Sequence, residues 1–168
     1  MDYSYSPLLG WGQGIGARIP QEKFGGWVQV NSPQGLAVSV ERLGLVAGEL
    51  ILEVGYDSDC DDQLRHAIEA KIGSNLRSGH LDEVVDAVIV WWREGDGDLV
   101  DDLVDALTYL SENGPIWLLT PKVGIAGHVE PSDIQDSAPT AGLTQTVSFL
   151  VAPNWTATKL VARKSAKR

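Results

Sequence analysis

The sequence has one cysteine, no long apolar run and few basic residues in its middle. The single Cys60 excludes a disulfide framework within the chain and is typical of a protein from a reducing compartment. No apolar stretch approaches the roughly 20 residues that a membrane-spanning helix needs. The N-terminal residues also lack the basic region and apolar core of a signal peptide. The sequence therefore predicts a cytoplasmic protein without a membrane span.

Charge is unevenly distributed along the chain, whose net charge is -10 at pH 7. Residues 45–112 contain 17 acidic and four basic residues, whereas residues 113–168 contain three acidic and six basic residues. Nucleic-acid binding requires a basic face that neutralises phosphates. The acidic body therefore predicts that nucleic acid is not a partner, and the basic C-terminal end is interpreted as a solvated tail.

Residues 1–38 differ in composition from the rest of the chain. Glycine alternates with other residues from Gly10 to Gly16, and more glycines and prolines follow. So many helix and strand breakers leave no regular periodicity. A phosphate-binding glycine loop would need a strand before it and a helix after it, and the sequence indicates neither. We expect a flexible or loosely attached arm at residues 1–38 and a single acidic α/β domain at residues 39–168.

The remaining sequence alternates between apolar runs, which indicate strands, and amphipathic stretches, which indicate helices. The predicted order begins with a helical turn at Val40–Leu45, a strand at Leu50–Val54 and a helix from the acidic run Asp57–Asp62 to Ile72. A strand at Val84–Trp92 and a helix to Leu110, capped by Asp96 or Asp98, come next. A strand at Ile116–Thr120 and a short helix at Pro131–Ala138 follow.

Two β-prone runs end the sequence, Thr146–Val151 and Thr156–Arg163, and the four residues Ala152–Trp155 join them. A connection of this length predicts an antiparallel hairpin. Alternating strands and helices imply right-handed crossovers and a mostly parallel sheet with helices on both faces. The predicted fold is thus a three-layer α/β fold with β-α-β-α-β-α order, closed by a C-terminal antiparallel hairpin.

The short helix, the segment Ala141-Gly142-Leu143 and the two final strands resemble the last part of class I methyltransferases. That family has a glycine-rich loop after its first strand and an acid at the end of its second. Here Gly55–Asp59 follows the first strand without a second glycine, and Trp91-Trp92-Arg93 ends the second strand. The strand count is also below the usual seven. The resemblance therefore implies a truncated methyltransferase-like fold, for which S-adenosylmethionine is an alternative and not an expected cofactor.

A closer resemblance extends from about Val40 to the end of the chain. The segments that carry it are Glu53–Asp57, Val90–Arg93, Gly97–Asp101, Ile116–Lys122, Gly127–Ile134 and Ala138–Leu143. In these segments the chain is similar to an uncharacterised bacterial family, the domain of unknown function numbered three thousand and fifty-two. Because that family has no established activity, the resemblance implies no catalytic residues.

Candidate site residues follow from the fold. In an open α/β sheet, ligands bind beyond the carboxyl ends of the strands. This rule selects the segments Gly55–Asp57, Trp92–Glu94 and Thr120–Lys122, and the loop that follows adds His128 and Glu130. The candidate ligand-binding residues among them are Gly55, Asp57, Trp92, Lys122, His128 and Glu130. Lys122 offers a cation and His128 a titratable imidazole. The competing interpretation, which we favour, is that Lys122 only leaves a strand and that His128 is bonded to the backbone of its loop.

No metal site is predicted. The three histidines do not pair at helical spacing, and Cys60 has no neighbouring thiol or imidazole in the sequence. The run Asp57–Asp61 lacks the central glycine and distal glutamate of a calcium loop, and Asp96 and Asp98 have the same defect. These acids are instead typical of helix starts. Trp91 and Trp92 should point to opposite faces of the sheet, with both in the core.

Two functions from different classes remain. We favour a non-catalytic binding or regulatory module whose partner is a protein or a small molecule, because no nucleophile or acid–base pair is evident in the sequence. The alternative is a small transferase, or another enzyme that binds a nucleotide or S-adenosylmethionine, which would use the cleft at the strand ends.

Overall fold

The structure, a computed structural model, describes residues 33–163. The chain divides into two units, Met1–Val38 and Ser39–Arg168. Only residues 33–38 of the first unit are described, so the arm expected at residues 1–38 stays a prediction. The basic residues 164–168 also lie outside the described residues.

Four helices and five strands form the described part of the chain, in the α/β order that the sequence predicts. The helices are α1 (Pro33–Arg42), α2 (Asp62–Ile72), α3 (Leu99–Leu107) and α4 (Pro131–Thr140). The strands are β1 (Ile51–Val54), β2 (Ala87–Trp91), β3 (Pro115–Pro121), β4 (Leu143–Ala152) and β5 (Trp155–Ala162). None of these helices is long and apolar enough to cross a membrane.

The five strands form one sheet in the order β1-β2-β3-β5-β4. The first three are parallel, and β5 lies antiparallel between β3 and β4. Every residue of β2 is buried, as expected for a strand that is covered on both faces. The mostly parallel sheet closed by an antiparallel hairpin is therefore confirmed.

Helices cover both faces of the sheet and produce the predicted three layers. On one face, alternate residues such as Leu52, Val90 and Leu118 join a core that α3 and α4 complete. On the other face, Arg65 of α2 binds Glu53, which follows Leu52 along β1 and so points to the opposite side. The segment after α1 lies on that second face, since the indole of Trp117 donates to the carbonyl oxygen of Leu43 at 3.1 Å.

A short pairing at the outer edge of β1 explains why α2 and α3 lie on opposite faces. The connections from β1 to β2 and from β2 to β3 move across the sheet in the same direction. If both were simple right-handed crossovers, α2 and α3 would lie on the same face. After α2, however, the chain runs parallel to the outer edge of β1, where Arg77 pairs with Leu52. The amide of Glu53 donates to the carbonyl oxygen of Arg77 at 2.7 Å, and Leu81 then packs on the α3 side. The strand order therefore reverses between β1 and β2, which makes their carboxyl ends a topological switch point.

The boundaries at the start of the domain differ from prediction. The helical turn expected from Val40 is part of α1, which begins at Pro33, where a proline suits the first turn because its missing N–H is not needed. The second strand is shorter than the predicted Val84–Trp92. Val84 is 64% exposed, and Val85 forms an isolated bridge with Leu110 instead of extending the strand.

The end of the domain also differs in detail. The short helix continues past Ala138 to Thr140, and Pro139 sits in its last turn. The hairpin turn consists of two residues, Pro153 and Asn154, where we expected four. Ala152 and Trp155 pair with each other at the ends of the two strands, and both are buried. Their pairing gives hydrogen-bond partners to buried backbone groups, which a four-residue loop would leave without partners.

Candidate functional site

The carboxyl ends of β1 and β2 approach each other closely at the topological switch point. Gly55, the residue after β1, has φ +82°. A Cβ atom on Gly55 would lie 2.3 Å from the carbonyl oxygen of Trp91. Glycine is thus required at this position by the approach of the two backbones, and packing alone explains it.

The side chain of Arg93 fills the space between these strand ends. Its Nη1 donates to the carbonyl oxygen of Gly55 at 3.1 Å and to that of Trp91 at 3.3 Å. Its Nε donates to Oδ2 of Asp59 at 2.9 Å. The Arg93 side chain is only 15% exposed. The guanidinium therefore lies where this type of sheet usually receives a ligand.

Three further contacts fix Arg93 in this position. Nη1 lies 3.2 Å from Oδ2 of Asp96, Nη2 donates to Sγ of Cys60 at 3.2 Å, and the guanidinium lies 5.3 Å from the ring centre of Trp155. We call Arg93, Asp59 and Asp96, with the carbonyl groups of Gly55 and Trp91, the Arg93 anchor. The hydrogen bond from Arg93 lowers the pKa of the Asp59 carboxyl, whereas burial raises the pKa of the Cys60 thiol.

Acidic side chains occupy the N-terminus of α2, next to the anchor. Oδ1 of Asp61 accepts from the amide of Leu64 at 2.8 Å and caps the helix, and Asp62 lies in the first turn. Oδ1 of Asp57 accepts from the amide of Ser58. The prediction that these acids start a helix thus holds for Asp61 and Asp62. It is wrong for Asp59, because that residue pairs with Arg93.

At α3, too, one acidic residue caps the helix and another binds Arg93. Asp98 caps α3 through the amides of Val100 and Asp101, as predicted. Asp96 does not cap it, because its carboxylate accepts from the amide and the guanidinium of Arg93.

A buried carboxylate, that of Glu53, is fully paired on the α2 side of the sheet. Its side chain is 2% exposed. Arg65 donates to both of its oxygens, at 2.6 and 2.8 Å, and the indole of Trp91 donates at 2.8 Å. Since both oxygens have partners, Glu53 is a structural residue that ties α2 to the sheet.

Trp91 and Trp92 point to opposite faces, and both belong to the core, as predicted. They are 1% and 6% exposed. Trp91 packs edge-on against Trp155, with the ring centres 4.8 Å apart. The indole of Trp92 donates to Oδ2 of Asp102 in α3 at 2.9 Å. Burial raises the pKa of that carboxyl, with repulsion from Asp105 among the smaller contributions.

A pocket of about 400 Å³ lies between the end of β1 and α3. Val54, Tyr56 and Tyr109 contribute to its walls, together with the carboxylates Asp102 and Asp105. No lysine or arginine is among the residues that line it. The pocket is therefore suited to a cationic group and poorly suited to a phosphate.

The loop after β3 carries the other three candidates, Lys122, His128 and Glu130. His128 Nδ1 lies 3.0 Å from the carbonyl oxygen of Pro121, so this loop histidine is bonded to backbone as expected. His128 Nε2 lies 3.6 Å from Oε2 of Glu130, whose side chain is 71% exposed. The backbone amide of Lys122 donates to the carbonyl oxygen of Asn154.

The same loop packs against Arg93. The amide of Glu94 donates to the carbonyl oxygen of Gly127 at 2.9 Å. Gly127 has φ +88°, and a Cβ atom there would lie 3.0 Å from Cβ of Arg93. The position of the His128 loop is thus linked to that of the Arg93 anchor.

The six predicted candidates do not form one cluster. Gly55 and Asp57 lie at the end of β1, Trp92 lies in the core, and the loop after β3 holds Lys122, His128 and Glu130. Within the described part of the chain, no group of three or more potential ligands is placed to hold a metal ion. The strand-end rule included Arg93 in the segment Trp92–Glu94, but Arg93 was not named as a site residue. The available signal was that Arg93 is one of four basic residues in a strongly acidic stretch and directly follows a strand end.

Known structures share this fold at low sequence identity. An S-adenosylmethionine-dependent methyltransferase from Aquifex aeolicus is 10% identical with a TM-score of 0.50, over 87% of this chain and 100% of that one. The pyocyanin biosynthetic protein PhzM is 13% identical with a TM-score of 0.52, over 88% of this chain and 60% of that one. The fold is therefore methyltransferase-like.

Closer relatives come from mycobacteria. Uncharacterized proteins of Mycobacterium tuberculosis and Mycobacterium bovis are 51% identical over 124 residues, which span 74% of this chain and 78% of each relative. A family model described as protein of unknown function (DUF3052) matches residues 40–164. The chain belongs to this family, as its sequence segments indicated.

Proposed function

We propose that this protein is a non-catalytic binding module built on a degenerate methyltransferase-like fold. The observation that supports the proposal is the position of Arg93, whose guanidinium fills the space between the ends of β1 and β2. A buried guanidinium with carboxylate and carbonyl partners is costly to displace, because its partners would then lack hydrogen bonds.

The surroundings of the anchor also disfavour a nucleotide. Phosphates bind at helix N-termini through free N–H groups and the positive end of the helix dipole. At α2 the carboxylate of Asp61 already takes the amide of Leu64, and Asp62 adds a second negative charge. A phosphate at this position would meet two carboxylates, so a nucleotide is not expected there.

The alternative function, an S-adenosylmethionine-dependent transferase, is favoured by one observation. The pocket next to Gly55 carries Asp102 and Asp105 and has room for a ligand that bears positive charge. S-adenosylmethionine has an ammonium and a sulfonium group, which two carboxylates would attract. The alternative therefore predicts that binding depends on Asp105.

A thermal-shift titration separates the two functions. The binding-module proposal expects no stabilisation beyond about 1 °C with S-adenosylmethionine, ATP or NAD at millimolar concentration. Stabilisation of about 5 °C or more by S-adenosylmethionine that is lost in Asp105→Asn would instead establish the alternative. Asp101→Asn is the matched control, because Asp101 lies on the same helix but does not line the pocket.

We also place the module in the cytoplasm, with a protein or a small molecule as its partner. The single cysteine supports this placement, because Cys60 is a free buried thiol. Fractionation of cells that express a tagged full-length chain tests it. Recovery with the membrane pellet or in the culture medium would contradict the proposed location.

A further inference from the structure

A second pocket, of about 150 Å³, lies between the His128 loop and the antiparallel hairpin. Four hydroxyl-bearing residues of three adjacent strands form one wall, namely Thr120 of β3, Ser148 of β4, and Thr156 and Thr158 of β5. We call this cavity the hydroxyl pocket. The other lining residues are mainly apolar, namely Pro121, Val123, Val129, Pro131 and Ile134, and the polar side chains of His128 and Gln145 complete the lining.

The strand register produces the hydroxyl wall. Thr120 pairs with Thr156 across β3 and β5, and Thr158 pairs with Ser148 across β5 and β4. Ser148 and Thr158 hydrogen bond to each other through their hydroxyl oxygens at 3.2 Å. Directly opposite residues in a sheet share a face, so these hydroxyl groups converge on one side.

Thr120 has a hydroxyl group that the described residues leave without a partner. The residue is only 3% exposed, it lines the pocket, and its hydroxyl makes no hydrogen bond within residues 33–163. A buried hydroxyl without a partner destabilises a protein, so such groups are rare unless something binds them. This observation is independent of the pocket's shape and indicates a polar occupant.

His128 presents a second hydrogen-bonding group to the pocket. Its Nδ1 faces the carbonyl oxygen of Pro121, which can only accept, so the neutral ring carries its proton on Nδ1. In that tautomer Nε2 is an acceptor. It lies 3.6 Å from Oε2 of Glu130, which cannot donate to it, and no other described residue donates to it.

Charge and size restrict the occupant. No lysine, arginine, aspartate or glutamate lines the pocket. A charged molecule would therefore lose its hydration without gaining a counter-charge, which is strongly unfavourable. The volume corresponds to about five water molecules. We propose that the hydroxyl pocket binds a small uncharged molecule with amide or hydroxyl groups on one side and an apolar surface on the other.

This inference rests on the proposed binding function and names its ligand class. The test uses three probes of nearly equal shape, isobutyramide, isobutyrate and isobutyramidine, which are neutral, anionic and cationic. The C–H signals of the His128 ring, assigned with His128→Gln, are followed by NMR as each probe is added to the full-length protein. We expect saturable shifts with the amide at millimolar concentrations and none with the charged probes.

Thr120→Val tests the role of the unpartnered hydroxyl, because valine keeps the shape and removes the oxygen. We expect the affinity for isobutyramide to fall about fivefold, in keeping with the loss of one hydrogen bond. Thr146→Val is the matched control, since Thr146 lies on β4 but not in the pocket. If Thr120→Val does not fold, Ser148→Ala replaces it, with the same expectation.

Three results would overturn the inference. These are the absence of any shift with the amide, stronger binding of a charged probe, and unchanged affinity in both pocket variants. None of these results would support the transferase alternative, because that alternative is tested separately, by S-adenosylmethionine binding and its dependence on Asp105. Failure of the inference is thus distinguishable from failure of the proposed function.

Discussion

Arg93 and Asp59 are joined by two parallel hydrogen bonds, Nε to Oδ2 and Nη2 to Oδ1. The pair connects the loop after β1 to the residue that follows Trp92 at the end of β2, and it lies over the indole of Trp155. Such two-point contacts between a guanidinium and a carboxylate fix both position and orientation. The pair thus fixes the side chain that fills the space between the ends of β1 and β2.

Arg93→Lys should destabilise the protein although it preserves the charge. An ammonium group cannot bridge Asp59 and the carbonyl groups of Gly55 and Trp91 at once. We expect the free energy of unfolding in urea to fall by about 2 kcal/mol. Arg77→Lys is the matched control, because Arg77 pairs through its backbone and its side chain is exposed. Equal losses in the two variants would show that Arg93 has no special role.

The stability of the protein should depend on Asp59 in acid. Arg93 lowers the pKa of this carboxyl in the folded state below its unfolded value of about 3.9. Its contribution is therefore complete above that value and is lost as the pH falls through the folded pKa. Urea unfolding between pH 5 and pH 2 should show a smaller acid-dependent loss in Asp59→Asn than in the wild type. Parallel pH curves for the two proteins would refute this assignment.

Gly55→Ala should be among the most damaging glycine substitutions in the described chain. It combines a left-handed φ of +82° with a contact of 2.3 Å to the backbone oxygen of Trp91. We expect a loss of about 3 kcal/mol or more. Gly95→Ala is the control, since Gly95 also has a positive φ but no atom within 4 Å of the added Cβ. Its cost should be only about 1 kcal/mol, and similar costs at both sites would exclude the steric argument.

Asp102→Asn should stabilise the protein at neutral pH. Burial raises the pKa of Asp102 above its unfolded value, so stability decreases as the pH rises from the unfolded to the folded pKa. Asparagine removes the charge and can still accept from the indole of Trp92. We expect a gain below about 1 kcal/mol at pH 7, because solvent screens much of the effect, and no gain at pH 3. Asp102→Ala, which lacks the acceptor, should be destabilised, and a loss in Asp102→Asn at pH 7 would contradict the argument.

Much of the fold follows from local patterns. The apolar face and the Asp98 cap predicted α3, and the apolar run after Pro115 predicted β3. The start of α1 was missed because glycines and prolines obscure the periodicity near residue 33. The pairing of Arg77 could not be foreseen either, because a single backbone bridge leaves no alternating pattern in the sequence.

The site was less predictable than the fold. The rule for open α/β sheets selected the edge at which Arg93 lies, but the role of Arg93 depends on contacts with residues up to 38 positions away. Acids at Asp59 and Asp61 look equivalent in the sequence, and only the folded chain assigns one to Arg93 and the other to α2. The hydroxyl pocket depends on strand register, which sequence patterns define only loosely.

The pairing of Arg77 with β1 limits which deletions the protein can tolerate in the segment that contains Arg77. Surface loops usually accept deletions because they only connect elements. The segment between Ile72 and Leu81 does more, since it carries the chain around the sheet edge from one face to the other. A variant without Asn75–Ser78 would have to make a left-handed connection or leave the edge of β1 unpaired. We therefore expect the number of residues here to be as restricted as the composition of the core.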